Sequence, residues 1–267
     1  MTTTTPSGRR VLTANLRAEW TKLRTVRSTM WTLLVTVALT VGLGALICSA
    51  RVSRWNRLDP GERLHFDPTA FSLNGLFLAQ LAIGVLGVLV MTSEYATGQI
   101  RATLGATPQR LVVLAAKVLV FAAVTAVVGL LACVAAFGAG QAIFTAKHVG
   151  TSLRDLTVAR AVVGGALYLT ALGLLGVGLG AIFRRTAAAI TALVGLLLIV
   201  PILVNFLPSP WNDDVARFLP GDAGRQIIRV IPPGGNVLSP WAGFVVLCAY
   251  SAVAIGVGAV LLLRRDA

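Results

Sequence analysis

Chemistry at a protein site needs nucleophiles, acids, bases or metal ligands at short spacing, and this sequence offers few of them. Its two histidines, His65 and His148, stand far apart, and no HExxH pattern exists. Cys48, Cys133 and Cys248 show neither a metal spacing nor a disulfide framework, and read as buried thiols. No serine occupies a GxSxG elbow. No GxxxxGK[ST] stretch is present to hold a nucleotide. The residues therefore imply no catalytic constellation, no metal site and no cofactor site.

The charged residues are more informative. Lys117 is the one charge at membrane depth, one or two turns inside an apolar run. Snorkelling of its long stem toward the surface is the expected explanation. Glu94 stands at the edge of another apolar run, and every other acid falls in a loop or tail. Intramembrane acids and histidines mark proton or ion coupling, so their scarcity speaks against a proton-driven transporter.

These residues sit in a chain built for lipid. Of its 267 residues, 56% are apolar and only 12% are charged, and the mean hydropathy is +0.83. A soluble domain is nearer a quarter charged, so a soluble enzyme is excluded. The net charge of +13 suggests nucleic acid until the bases are located. They cluster at the ends of apolar runs, so nucleic acid is not a partner.

Trp31–Ala50, Phe71–Ser93, Ala161–Phe183, Thr186–Leu207 and Trp241–Leu263 carry no charge, and Leu111–Phe137 carries only Lys117. Each is long enough to cross a bilayer as a helix. Strands of a barrel would be shorter and would alternate in polarity. The fold class expected is all-α, a polytopic membrane protein with six transmembrane helices. It reads as one domain over 1–267: a tail and amphipathic helix at 1–30, six spans over 31–263 and a tail at 264–267. With the N-terminus inside, the inner side holds 13 bases against three acids, and the outer side 10 against seven. Both termini are therefore expected in the cytoplasm, in a multi-pass protein of the cell membrane. Glu19, Lys22, Arg24 and Arg27 interrupt any signal-peptide core after Arg9-Arg10, so an uncleaved first span is expected.

Outside the spans, Val11–Arg27 reads as an amphipathic helix lying in the interface, with Leu12, Leu16, Trp20 and Leu23 on one face. It is either a basic anchor or a contact for a partner. Met1–Gly8 is Thr-rich and expected to be disordered. In Glu94–Arg110, Thr97 is placed to cap a short helix, Ile100 and Leu104 share a face, Gly105 would end it and Pro108 follows. This is either a helix lying on the bilayer or a knob that docks into another protein. Arg184-Arg185 leaves room only for a tight hairpin between spans four and five. The proline-rich loop Pro208–Pro240 suggests two short helices, Trp211–Leu219 and Ala223–Ile231, that lie on or dip into the outer leaflet. Pro201 is expected to kink span five. Gly173, Gly176 and Gly180, and the pairs Ala252/Gly256 and Ala254/Gly258, are faces for close helix packing, with partners unspecified.

Two segments carry a resemblance. One is Glu19-Trp20-Thr21-Lys22-Leu23-Arg24-Thr25-Val26-Arg27-Ser28-Thr29. The other is Glu94-Tyr95-Ala96-Thr97-Gly98-Gln99-Ile100-Arg101-Ala102-Thr103-Leu104, followed by Pro108 and Arg110. With Phe218-Leu219-Pro220 and Ala223-Gly224, they resemble the permease subunits of type-two ATP-binding-cassette (ABC) exporters, in their short actinobacterial form. The resemblance implies a chain that forms the substrate pathway and pairs with a second permease, identical or related. It also implies two copies of a cytoplasmic ABC ATPase subunit. It assigns ATPase coupling to Glu94, Tyr95, Gly98, Ile100, Arg101, Leu104, Pro108 and Arg110. It assigns the N-terminal interfacial helix to Leu16, Glu19, Trp20, Lys22, Leu23 and Arg24. It implies re-entrant helices before the last span. Family substrates run from drugs and antibiotics to lipids and polysaccharides. The alternatives are a non-transporting anchor or sensor that recruits an ATPase, a secondary transporter and a membrane enzyme.

Overall fold

The structure is a computed structural model that describes residues 8–264 except 58, 65, 108, 148, 210 and 232–234. Among the described residues there is no strand, and six helices are long and apolar enough to cross a membrane. They are Arg27–Ser53, Leu76–Ala96, Arg110–Thr145, Leu156–Phe183, Thr186–Val204 and Pro240–Arg264, spans one to six. An N-terminal helix, Gly8–Thr25, precedes span one and is separated from it by Val26 alone, in extended backbone. Six crossings put the N-terminal helix and the end of span six on one side, here the near side. The expectation for Met1–Gly8 lies almost wholly outside the described residues.

Span four is the centre. Of its most apolar stretch 72% is buried inside the chain, against 22% for span five. Small residues let it be surrounded. A Cβ at Gly176 would collide with the Gly84 carbonyl oxygen of span two, and one at Gly87 with the Gly173 carbonyl oxygen. Gly180 faces Val88 and Met91 of the same span. The glycine series thus packs within the chain, against span two. Of the two small-residue pairs on span six, Ala254 and Gly258 turn inward, onto Gly178 and Ala181 of span four. Ala252 is exposed and Gly256 has open space beside it. Inside the core the Tyr168 hydroxyl donates to Gln80 Oε1, and Ser251 Oγ donates to the Ala171 carbonyl at 2.8 Å. Cys48 and Cys133 are buried and free, and Cys248 is half-buried and free.

The ends of the spans depart from the apolar runs for local reasons. Span two begins at Leu76, not Phe71. Asp67 Oδ1 accepts from Ala70 N at 2.9 Å and, with Pro68 in the first turn, starts a separate helix, Pro68–Ser72. Gly75 then passes the Leu39 carbonyl of span one so closely that a Cβ would lie 2.5 Å from it. Span one accommodates this approach in a π-helical turn, Leu39–Leu43. Span five has the same device. Its π-helical turn Gly195–Ile199 ends two residues before Pro201, a widened turn beside the proline. Span four ends at Phe183 and span five starts at Thr186, the tight hairpin expected, with Arg184 at φ 55°.

In the last far-side loop the helices are Trp211–Ala216 and Pro220–Arg225, followed by a 3-10 turn, Gln226–Ile228. The second begins earlier than expected because Pro220 suits a first helical position. It dips into the bundle. Gly224 lies against Tyr168 and Leu247, and Tyr168 is twelve residues into span four, roughly 18 Å at 1.5 Å per residue.

Candidate functional site

The near-side end of span two carries Glu94 in its last turn, and span three carries Lys117 two turns from its start. The N-terminal helix packs along span three and supplies Glu19 and Lys22 from one face. Lys117 Nζ lies 2.7 Å from Glu19 Oε2 and 2.8 Å from Glu94 Oε1. Lys22 Nζ lies 2.7 Å from Glu19 Oε1 and 2.7 Å from Glu94 Oε1. Two acids and two bases thus close a neutral ring. Glu19, Glu94 and Lys117 are 4%, 3% and 2% exposed, while Lys22 reaches the surface at a cavity of about 150 Å³ that the ring borders.

The ring corrects the reading of Lys117. Its ammonium does not snorkel to the surface. It is buried on two carboxylates contributed by other helices. The interior near this side is also not free of acids. The ring further decides which face of the N-terminal helix packs inward. Asn15, Glu19 and Leu23, at helical spacing, are the buried residues. Leu12 and Leu16 flank them half-buried, and Trp20 is 53% exposed. Arg24 is exposed. The apolar stripe alone pointed to Leu12, Leu16, Trp20 and Leu23 as the face. Pairing with Lys117 rotates the helix toward Glu19.

Burial alone would lower the Lys22 ammonium, but hydrogen bonds and charge from Glu19 and Glu94 outweigh it and raise its pKa above the ordinary value of 10.5. A raised lysine stabilises the folded state fully below its unfolded value and loses that contribution as pH rises through the folded value. A spin label at Arg24→Cys, with the three cysteines replaced by alanine, should therefore keep its mobility from neutral pH to about 10 and gain mobility only above that. A gain of mobility near neutral pH would contradict the ring.

Beyond the ring a short linking helix, Gln99–Ala106, joins spans two and three. Thr97 does not cap it, because its hydroxyl donates back to the Ser93 carbonyl at 2.9 Å and closes span two instead. Gly98 makes the turn at φ +70°, a conformation that costs glycine nothing and other residues more. The helix continues through Gly105 to Ala106. Ile100 is 4% exposed and Leu104 is half-buried, so their shared face leans on the chain itself. Gly98, Arg101, Ala102 and Gly105 are exposed. Asn15 Nδ2 hydrogen-bonds Thr107 Oγ1 at 3.4 Å, tying the linker to the N-terminal helix. Pro108 lies outside the described residues.

Tyr95 and Arg110 belong to a neighbouring cluster. The Arg184 guanidinium stacks over Tyr95 at 5.1 Å and donates to the Leu261 carbonyl at 3.0 Å. Arg110 Nη1 donates to the Leu262 carbonyl at 2.7 Å. These contacts fasten the end of span six to spans two, three and four. Among the described residues no group of three His, Cys, Asp or Glu side chains is placed to hold a metal.

A near side with its own linking helix, together with six apolar spans, agrees with one comparison. A family model described as ABC-2 family transporter protein matches residues 63–267. The chain belongs to the ABC-2 transporter family. It is a multi-pass membrane subunit of an ABC transporter, a transport component and not a catalytic one, and membership implies an ATP-binding partner subunit. No curated protein matches the chain in sequence. In this ABC-2 family protein Glu94, Lys117 and the linking helix fall inside the matched residues, whereas Glu19 and Lys22 precede them. The resemblance pointed to Glu19, Lys22 and Glu94 separately. Lys117, which joins them, was missed as a site residue. The available signal was charge balance: a lone base in one apolar run and a lone acid at the same edge of another.

Proposed function

We propose that this ABC-2 family protein is the substrate-pathway subunit of an exporter in the cell membrane, with its near side and both termini in the cytoplasm. Two copies of a partner ATPase supply the energy, and a second permease chain, identical or related, completes the pathway. The linking helix carries this reading. It anchors itself by Ile100 and turns Gly98, Arg101, Ala102 and Gly105 outward beside the half-buried Leu104. A loop that only connected two spans would need no ordered helix with an outward face. Glu94, Tyr95 and Arg110 stand on the span ends that flank that helix, held by the ring and by the cluster at the end of span six. The base-rich near side agrees with a cytoplasmic placement.

Co-purification of the partner P-loop ATPase with tagged permease tests this. Leu104→Asp and Gly98→Trp should each cost about 1–4 kcal/mol of association, read as roughly fivefold or greater loss of retained ATPase. Membrane abundance should hold. At Gly98 the added side chain meets open space in this chain, so loss of the ATPase would report on the partner and on the strained φ. Gly98→Ala carries the strain alone and separates the two. Undiminished co-purification and transport in both Leu104→Asp and Gly98→Trp would reduce the linking helix to a connector. Retained ATPase binding without vectorial transport by the wild type would favour a recruiting anchor.

A further inference from the structure

We propose that Glu19, Lys22, Glu94 and Lys117 are positioning residues for transport: a neutral latch that makes the N-terminal helix, the end of span two and the start of span three one mechanical unit. The coupling part of this inference rests on the function proposed above. The latch itself does not, because it can be read on the chain alone.

The N-terminal helix is joined to span one through Val26, whose extended backbone breaks the run between the two helices. It also packs along span three, with Leu12 and Leu16 half-buried. Leu23 is buried, Asn15 reaches Thr107, and Glu19 and Lys22 enter the ring. The ring is the attachment that spans three elements. Each lysine bridges both carboxylates, so no pair can separate without stranding a charge on another helix. In a site this buried, stranding one charge costs far more than losing an exposed ion pair. Motion of the N-terminal helix is therefore delivered to Glu94 and Lys117 together. Both stand on helices that border the core, and span two carries the glycine contact with span four. The linking helix is included, since it starts at the turn after Glu94 and its end is held by Asn15. Two surfaces on the near side thus move as one body. The cavity beside the ring, lined by Val26, Ser28, Thr29, Leu86, Leu89 and Ser93 among others, leaves the joint with span one unfilled. The body therefore has room to pivot at Val26 while the ring stays closed.

Hydrogen exchange of the permease in bilayer discs reads the latch directly. Lys117→Met leaves two carboxylates to Lys22 alone, and exchange across Gly8–Thr25 should rise about tenfold or more while span four stays protected. Lys117→Arg should keep the wild-type protection. The double variant Glu19→Gln/Lys117→Met restores neutrality and should recover much of it. Unchanged exchange in Lys117→Met overturns the latch. So does a double variant as loose as the single one, since packing and not charge balance would then hold the helix. If Lys117→Met fails to reach the membrane, recovery by the neutral double supports the proposal, and failure of both overturns it. In complex with the ATPase, Lys117→Met should lower the permease-dependent change in maximal ATPase rate about fivefold at unchanged KM for ATP, with Lys117→Arg restoring it. An unchanged rate, despite a loosened helix, overturns the positioning role. Failure of the wild type to bind an ATPase would instead refute the proposed function and leave the exchange result standing.

Discussion

Gly176→Leu should leave no correctly folded permease in the membrane. The new Cβ would collide with the Gly84 carbonyl oxygen and would lie 3.0 Å from the Gly84 carbonyl carbon. Both atoms are backbone of span two, which no rotamer change can move aside. Overpacking of a core by side chains costs about 1–3 kcal/mol, and a backbone obstacle places this substitution at or above that range. The remaining option is to separate spans two and four, which also opens the Gly87–Gly173 approach one turn away. Gly256→Leu is the matched control, on a similar small-residue pair with nothing within 4 Å of its Cβ. Size-exclusion profiles of detergent-solubilised protein should show a monodisperse peak for Gly256→Leu and aggregate or no peak for Gly176→Leu. Equal profiles would mean that the glycine face contacts lipid or another chain.

That contrast shows what one sequence can disclose about a membrane bundle. The six spans were legible because crossing hydrocarbon demands a long apolar run, and that demand is met locally, residue by residue. The small-residue faces were legible as faces for the same reason. Their partners were not, since Gly176 and Ala252/Gly256 look alike in sequence and only the fold sends one inward and the other outward. The helix boundaries slipped where a polar side chain overrode composition. Asp67 cut five residues from the expected start of span two, and Thr97 closed one helix instead of opening the next.

The site was legible to a different degree. Glu19, Lys22 and Glu94 were each visible as motif residues near a membrane edge. What brings them together is Lys117, ninety-eight positions from Glu19. No periodicity carries information over such a distance. A long lysine near a span end also has an ordinary explanation in snorkelling, which is correct wherever the stem faces lipid. Here it faces the gap between span two and the N-terminal helix. The same pairing explains the rotation of that helix: its apolar stripe set the candidate face, and a buried ion pair moved the contact by part of a turn.

Asp67→Ala should release the far-side segment and cost about 2–4 kcal/mol of stability. Asp67 is 7% exposed, and both its oxygens are engaged. Oδ1 accepts from Ala70 N at 2.9 Å and starts the Pro68–Ser72 helix. Oδ2 accepts from Val230 N at 2.8 Å and Ile231 N at 3.1 Å. One side chain therefore joins the first far-side loop to the last, holding the chain that leaves the dipping helix Pro220–Arg225. Hydrogen bonds to a charged group contribute about 1.5–3 kcal/mol each, and donors left buried without a partner add a desolvation cost. Water reaching the freed amides offsets part of that sum. Asp67→Asn keeps one carbonyl acceptor but turns a donor toward an amide, so it should fall between alanine and wild type. Arg160, which donates to the Arg229 carbonyl at 2.7 Å, still holds the segment one residue earlier. The loss should accordingly be local. Hydrogen exchange should rise across residues 220–231 and at Pro68–Ser72, while Gly8–Thr25 on the near side keeps its protection. A uniform rise over both sides would show instead that Asp67 supports the whole bundle, and no rise at 220–231 would show that the glycine packing on Tyr168 and Leu247 holds the segment without it.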